Sequence, residues 1–278
     1  MRSDLAALAA VILWGSLAAI AVALNNIPPL LMTGLGLIIG SIISLPVAGF
    51  KIRRILPSSK MLLVGVYGLF GYHAALFAGL QNAPSVQANL VNYLWPVLIV
   101  LLAPLIVVGS KIGLSHVIAS ILGFSGAALA ILSGAELVSG FAVGYLFAFI
   151  AALIFSSYSL LIKRFSHSPT AAVGGYSLVG GLLAVGAHFV FEQPVEISQG
   201  QWIWLVLLGL GPLGGSFYLW DYAMKHGSAQ RVGTIAFLTP VLSTTILLVV
   251  SGQNLTISIG LAALLIVAAA VVGSRVNN

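Results

Sequence analysis

The sequence contains no cysteine and very little charge. Without cysteine the chain can form no disulfide, no thiolate metal site and no cysteine nucleophile. Only 6% of its 278 residues are charged and 60% are hydrophobic, whereas about a quarter of the residues of a typical soluble domain are charged. This composition excludes a soluble globular fold and indicates an integral membrane protein.

Long apolar runs fill almost the whole sequence, and each is long enough to cross a bilayer as a helix of about 20 residues. The first run contains Trp14 and lacks a clear cleavage site, so we expect a mature helix and not a signal peptide. The predicted fold is an all-α membrane protein with ten transmembrane helices, at residues 5–23, 29–49, 61–80, 86–108, 113–133, 141–162, 170–191, 202–224, 229–250 and 255–273.

The positive charges of the sequence follow a strict alternation between loops. If both termini are cytoplasmic, all 11 Lys and Arg residues lie on the cytoplasmic side, including Arg275 near the end of the chain. The opposite loops contain Glu136, Glu192 and Glu196 but neither Lys nor Arg. Cytoplasmic loops of membrane proteins carry an excess of Lys and Arg. We therefore predict cytoplasmic termini. Since this distribution explains the net charge of +6, the charge does not indicate a nucleic-acid partner.

Two similar segments lie near the middles of two helices. Leu94-Trp-Pro-Val-Leu98 and Leu238-Thr-Pro-Val-Leu242 are identical at four of five positions and lie 144 residues apart. Paired interruptions of this kind indicate a central binding site between two repeats. Because each half has an odd number of helices, the halves must insert with opposite topology. The sequence predicts a first five-helix repeat at 1–134 and a second, inverted one at 135–278.

Helix four carries polar residues on one face. Asn89, Asn92, Tyr93 and Pro96 are spaced i, i+3, i+4 and i+7, which places them together on a helix. Lipid offers no partners to polar groups, so this face should line an internal cavity. Pro96 and Pro240, together with Pro212 in helix eight, are predicted to bend their helices.

Aromatic residues of other helices extend this predicted wall. Trp14 either lines the cavity or packs beside a notch of small residues. His73 either contacts the substrate or carries a proton, or it only forms a local hydrogen bond. In helix eight we favour Tyr218 over Trp220, which points to a different face. The predicted substrate-binding residues are Trp14, Tyr72, His73, Asn89, Asn92, Tyr93, Tyr158 and Tyr218.

Asp221 is the one acidic residue that the prediction places inside a span. A carboxylate at the centre of a bilayer costs about 2.5–3.5 kcal/mol, and Lys225, four residues later, can pair with it on the same helix. The pair is either structural or part of a gate or proton-coupling site. Proton-driven export and facilitated diffusion both stay open.

Two other classes of function fit the sequence poorly. An intramembrane aspartyl protease needs two facing carboxylates, and neither a His-Glu-x-x-His nor a Gly-x-Ser-x-Gly motif occurs. We therefore expect no catalytic site, no metal and no cofactor. A channel commonly needs a polar pore or a ring of subunits, whereas an inverted repeat with broken helices is typical of a transporter that works by alternating access.

The chain resembles the EamA-type exporters of the drug/metabolite transporter superfamily. The resemblance rests on the ten helices, the inverted repeat, Leu13-Trp-Gly-Ser16 and the two Pro-Val-Leu segments. Within that family the chain is most similar to the YddG group of aromatic amino acid exporters. The resemblance covers essentially the whole chain. It implies a multi-pass exporter of the bacterial inner membrane, with a cavity walled by helices 1, 3, 4, 6, 8 and 9.

The implied partners are the lipid bilayer and a small metabolite, either an aromatic or other neutral amino acid or a different drug or metabolite class. The oligomeric state stays open, and a monomer is compatible.

Overall fold

The structure, a computed structural model, describes residues 2–132, 140–250, 252 and 257–274. The secondary-structure elements within these ranges are all helices and no strand occurs there, which confirms the all-α class. The predicted boundary at residues 134/135, Glu136 and Arg275 lie outside the described residues. Nine described helices are long and apolar enough to cross a membrane: α1 (Arg2–Ala23), α2 (Pro29–Val47), α3 (Ser59–Gln81), α4 (Ser85–Ile106), α5 (Leu114–Leu132), α6 (Val143–Phe165), α7 (Thr170–Phe191), α8 (Gln199–His226) and α9 (Ala229–Val250). A further apolar helix, α10 (Ile257–Ser274), follows them.

Helices α3, α4, α8 and α9 are irregular near their middles, and α1 is interrupted at Ser16. In α4 the regular helix stops at Asn92 and resumes at Trp95, so that Pro96 lies in a new first turn. In α9 it stops at Ala236 and resumes at Leu238, just before Pro240. The N–H groups of a first turn have no partner within the helix, so a proline there loses no helical hydrogen bond.

Helices α3 and α8 each contain a π-helical turn, at Tyr67–Gly71 and at Gly211–Gly215. Pro212 lies inside the second. The two π turns are 144 residues apart, the same separation as Pro96 and Pro240. Such turns are rare and occur frequently at functional sites.

Small residues allow close contacts between neighbouring helices of the bundle. A Cβ atom on Gly34 of α2 would lie 2.9 Å from the carbonyl oxygen of Gly181 in α7. One on Gly79 of α3 would lie 3.0 Å from the carbonyl oxygen of Gly144 in α6. Membrane helices pack largely through such contacts, because lipid provides no hydrophobic force between them.

The bundle has two chemically different ends. The basic end holds the start of α1 and the connections 48–58, 107–113, 166–169 and 227–228, and the acidic end holds the connections 24–28, 82–84 and 192–198. At the acidic end the carboxylate of Glu192 accepts hydrogen bonds from the backbone N–H groups of Leu30 and Leu31, at 2.8 and 3.2 Å. It also lies 2.9 Å from Nδ1 of His188. Glu192 thereby ties the end of α7 to the beginning of α2.

Candidate functional site

A cavity of about 620 Å³ occupies the acidic half of the bundle. Its lining includes Ala21 near the end of α1, Thr33 in the first turns of α2, Leu80 near the end of α3, Ser85 at the start of α4 and Ile131 near the end of α5. All of these positions lie toward the acidic end, where Ser85 is exposed. The cavity therefore opens at that end.

The inner limit of the cavity is a cluster of aromatic rings, which we call the aromatic floor: Trp14, Trp95, Phe155 and Phe217. Among the lining residues of each helix, the one nearest the basic end is Trp14 in α1, Trp95 in α4 and Phe217 in α8. The ring of Trp14 packs edge to face against those of Trp95, Phe155 and Phe217, with centroids 6.0, 5.8 and 5.9 Å apart. This is a geometry that aromatic pairs prefer. The floor separates the cavity from the basic half of the protein.

Trp220 supports the floor from behind. Its ring centroid lies 5.0 Å from that of Trp14, and the side chain is fully buried. Its indole N–H donates a 3.0 Å hydrogen bond to Oγ of Ser159 in α6. Trp220 thus belongs to the same aromatic cluster without lining the cavity.

A polar wall rises from the floor along α3 and α4. Nδ2 of Asn92 donates to the hydroxyl of Tyr72 over 3.3 Å. The Tyr72 ring lies against Phe155 and against His73, with centroids 4.9 Å apart in both cases. Because a carbonyl only accepts, Nδ1 of His73, 2.6 Å from the carbonyl oxygen of Leu69, must carry the proton. The wall thus joins amide, phenol and imidazole groups in one connected arrangement.

The structure brings six of the eight predicted binding residues to the cavity: Trp14, Tyr72, His73, Asn89, Asn92 and Tyr93. It places Tyr158 and Tyr218 elsewhere. The Tyr158 hydroxyl lies 3.2 Å from that of Tyr176, and the Tyr218 hydroxyl donates to the carbonyl oxygens of Gly40 and Ser41, at 3.1 and 3.3 Å. Both hydroxyls thus have protein partners in the buried interior, which removes the reason for assigning them to a cavity.

Sequence reasoning did not find three residues of the floor: Trp95, Phe155 and Phe217. An aromatic residue in an apolar run can face lipid as well as a cavity, so its type alone gives no signal. One signal was available for Phe217, which lies 144 residues after His73, at the separation of the two repeated segments.

Asp221 and Lys225 form the predicted pair within α8. Their Oδ2 and Nζ atoms are 2.9 Å apart, and both side chains are fully buried. Lys225 also donates to the carbonyl oxygen of Ser168, in the connection between α6 and α7, at 3.1 Å. Neither residue lines the cavity, because this part of α8 lies on the basic side of the floor.

Polar contacts between helices close the basic end. Nζ of Lys163 donates to the carbonyl oxygens of Met224, at 3.0 Å, and Gly227. The guanidinium of Arg164 donates twice to the carbonyl oxygen of Ile106, at 2.8 and 3.1 Å. These contacts join the end of α6 to the ends of α8 and α4.

A second set of contacts fixes the beginning of α9. Gln230 donates to Oγ of Ser110 and to the carbonyl oxygen of Lys111, at 2.5 and 3.2 Å. Arg231 forms a 2.9 Å ion pair with Asp4 at the start of α1. The basic end is therefore bridged from α9 to both α1 and the connection after α4.

The sequence matches the profile of the EamA-like transporter family in two segments, residues 1–132 and 142–275. It is 33% identical to the aromatic amino acid exporter YddG of Ancylobacter novellus, over 95% of this chain and 94% of that protein. It is 24% identical to the aromatic amino acid exporter YddG of Salmonella typhimurium, over 92% and 91% of the two chains. A solved crystal structure, 33% identical in sequence, superposes with a TM-score of 0.92 and covers 98% of this chain and 95% of its own.

Proposed function

This chain belongs to the EamA-like transporter family, and on that premise we propose that it exports aromatic and other neutral amino acids by alternating access through the cavity. Family membership confirms the predicted resemblance and makes the chain a multi-pass membrane transporter and not an enzyme. The finer statements, on substrate, direction and mechanism, are our proposal. We further propose the cytoplasmic membrane of a bacterium as its location.

The chemistry of the cavity carries the substrate assignment. Its floor consists of aromatic rings and its wall of amide, hydroxyl and imidazole groups, and none of its described lining residues is Asp, Glu, Lys or Arg. Ring faces and edges favour an aromatic or apolar side chain, and uncharged polar groups suit a solute without net charge. A volume of about 620 Å³ lies within the range of roughly 300–1,000 Å³ that is usual for small-molecule sites.

The asymmetry of the two ends supports alternating access. The positive-inside rule assigns the basic end to the cytoplasm, so the cavity faces outward and the contacts of Lys163, Arg164, Gln230 and Arg231 close the inner side. A transporter with one central site must expose it to each side in turn. In the inward-facing state these contacts must separate, which makes the basic end the inner gate. The buried Asp221–Lys225 pair lies next to this gate.

Two observations support the predicted division into inverted repeats at 1–134 and 135–278. The family profile matches one segment in each half. The same separation of 144 residues relates the π turns of α3 and α8 and the prolines of α4 and α9. Two halves of similar structure can rock against each other about the central site.

The test is transport by the purified protein in proteoliposomes. Labelled phenylalanine, tryptophan, threonine and glutamate are offered, with protein-free liposomes as the control. We expect saturable, stereoselective uptake of phenylalanine and tryptophan, slower uptake of threonine and none of glutamate. Uptake of none of the four would contradict the amino acid assignment and move the substrate to another metabolite or drug class. Uptake that neither saturates nor distinguishes enantiomers would indicate a channel instead.

A further inference from the structure

The polar wall contains a buried acceptor that lacks a protein partner. Among the described residues that line the cavity, two have a buried side-chain oxygen without a hydrogen bond, Oδ1 of Asn92 and Oγ1 of Thr33. Asn92 is 3% exposed and Thr33 is 1% exposed. Buried polar atoms in native proteins nearly always have partners, and a lone one calls for an explanation. A ligand bound in the cavity would give these oxygens the partner that the protein does not provide.

The position of Asn92 identifies what kind of ligand group its oxygen would meet. Its Nδ2 donates one of its two N–H groups to the hydroxyl of Tyr72, and Oδ1, the atom without a protein partner, is a carbonyl oxygen that can only accept. His73 adjoins Tyr72 in the same wall, and in the neutral ring with its proton on Nδ1 the other nitrogen, Nε2, is also an acceptor. Two acceptors in the same polar wall favour a ligand group that donates hydrogen bonds. Among common metabolite groups, a primary ammonium, with three donors and no acceptor, fits this description.

Thr33 differs from Asn92 in one useful respect. Its hydroxyl can donate as well as accept, so it can serve an ammonium or a carboxylate and does not discriminate between them. It lies on α2 and not on the wall formed by α3 and α4. This difference makes Thr33 the natural control for Asn92.

We propose that Asn92 determines specificity by accepting a hydrogen bond from the substrate's primary ammonium group, while the aromatic floor receives its ring. The inference rests on the proposed function and narrows it: the substrate must carry a free amine, and its carboxylate contributes less. Aromatic carboxylates that lack an amine are excluded, although their rings fit the floor equally well.

The test measures binding to the purified protein through its tryptophan fluorescence, since Trp14 and Trp95 line the cavity. The probes are phenylalanine, phenethylamine, which lacks the carboxylate, and two compounds without a free amine, 3-phenylpropionate and N-acetylphenylalanine. We expect phenylalanine and phenethylamine to bind at least about tenfold more tightly than the other two, the effect of one hydrogen bond to a charged group. Equal binding of phenethylamine and 3-phenylpropionate, or binding of neither, overturns the proposal.

Variants then test whether Asn92 is the residue that causes the preference for ligands with a free amine. Asn92→Leu keeps a similar volume and removes the acceptor, so the preference for the amine should disappear. Asn92→Asp supplies a carboxylate and should shift the preference further toward phenethylamine. Thr33→Val should weaken all ligands alike and leave the preference intact. An unchanged preference in Asn92→Leu would contradict the assignment to Asn92.

Failure of this inference is distinguishable from failure of the proposed function. If the wild-type protein transports phenylalanine but binds 3-phenylpropionate as tightly as phenethylamine, the proposed amino acid export is supported and the ammonium site is refuted. If it binds phenethylamine selectively but transports no amino acid, the ammonium site stands and the substrate is another amine. The wild-type comparison needs no variant to fold.

Discussion

The ammonium of Lys163 donates a hydrogen bond to the carbonyl oxygen of Met224, 3.0 Å away, and so joins α6 to α8 at the basic end. The carbonyls at the end of a helix carry partial negative charge, and a cation beside them is favourable. Arg164 makes the equivalent contact with Ile106 at the end of α4. Two consecutive cations therefore hold two other helices, and these contacts must break if the cavity is to open inward.

Replacing Lys163 should shift the protein toward an inward-facing state. Lys163→Met keeps the length of the side chain and removes its hydrogen bonds. Thr234 lies on the basic side of the floor and is 4% exposed, and the chain has no native cysteine. A Thr234→Cys protein should therefore react slowly with an impermeant thiol reagent applied to the basic end. The additional Lys163→Met change should accelerate this reaction at least about tenfold, because losing even one hydrogen bond to a charged group has an effect of that size.

The control for this experiment is Lys51→Met, an exposed lysine of the 48–58 connection at the same end. It removes the same charge without breaking a contact between helices, so the labelling rate of Thr234→Cys should stay unchanged. Equal rates in the Lys163 and Lys51 variants would show that the inner gate does not depend on Lys163.

The aromatic floor should determine how well the substrate is recognised. Trp14→Ala removes the ring that contacts Trp95, Phe155 and Phe217. An aromatic pair contributes about 0.5–1.5 kcal/mol beyond the area it buries, so kcat/KM for phenylalanine should fall at least about tenfold. Trp14→Phe should keep most of the activity. Trp202→Ala removes an exposed tryptophan outside the cavity lining and serves as the control. Normal transport by Trp14→Ala would refute the role of the floor.

Replacing one partner of the Asp221–Lys225 pair should destabilise the protein more than replacing both. Asp221→Asn leaves the buried ammonium of Lys225 without its counter-charge, at a cost of about 3–5 kcal/mol. The double variant Asp221→Asn/Lys225→Met has no buried charge at this position and should recover much of that loss. Thermal unfolding in detergent measures both effects. A double variant that unfolds at a lower temperature than Asp221→Asn would show that the pair is not the source of the destabilisation.

Two glycines of the π turn in α3 should respond differently to the same substitution. A Cβ on Gly68 would lie 2.1 Å from the ring of Tyr158, whereas one on Gly71 would have its nearest neighbour 3.9 Å away. Gly68→Ala should lower stability by about 1–3 kcal/mol, the usual cost of overpacking, and Gly71→Ala should be neutral or slightly stabilising. The comparison is made by thermal unfolding of the two variants. Equal melting temperatures would contradict the close packing of α3 against Tyr158.

Polar residues were the most informative part of the sequence for locating the site. Asn89, Asn92, Tyr93 and His73 stand out against apolar runs, since lipid offers them no partners, and the structure places all of them on the cavity. Tyr218 also stood out by this reasoning, but its hydroxyl donates to a neighbouring helix and does not line the cavity. Which polar group has a protein partner is decided by tertiary packing.

The helix order followed from length and hydropathy, but the local helix geometry did not. The π turns of α3 and α8 occur in runs of glycine and apolar residues that also fit a regular helix. The inter-helix role of Lys163 was equally hidden, because a lysine at the end of a span is expected to reach the interface in any case. Its bond to Met224 joins residues 61 positions apart in the chain.

The central claim is that the cavity binds aromatic amino acids, and substrate protection of one cavity thiol tests it most directly. Ser243 of α9 lines the cavity, and in Ser243→Cys the introduced thiol is the only one in the chain. Its reaction with an impermeant thiol reagent is followed from the acidic end of the protein in oriented vesicles. We predict ready labelling that phenylalanine slows in a saturable manner and glutamate does not. Labelling that phenylalanine leaves unchanged would contradict the account.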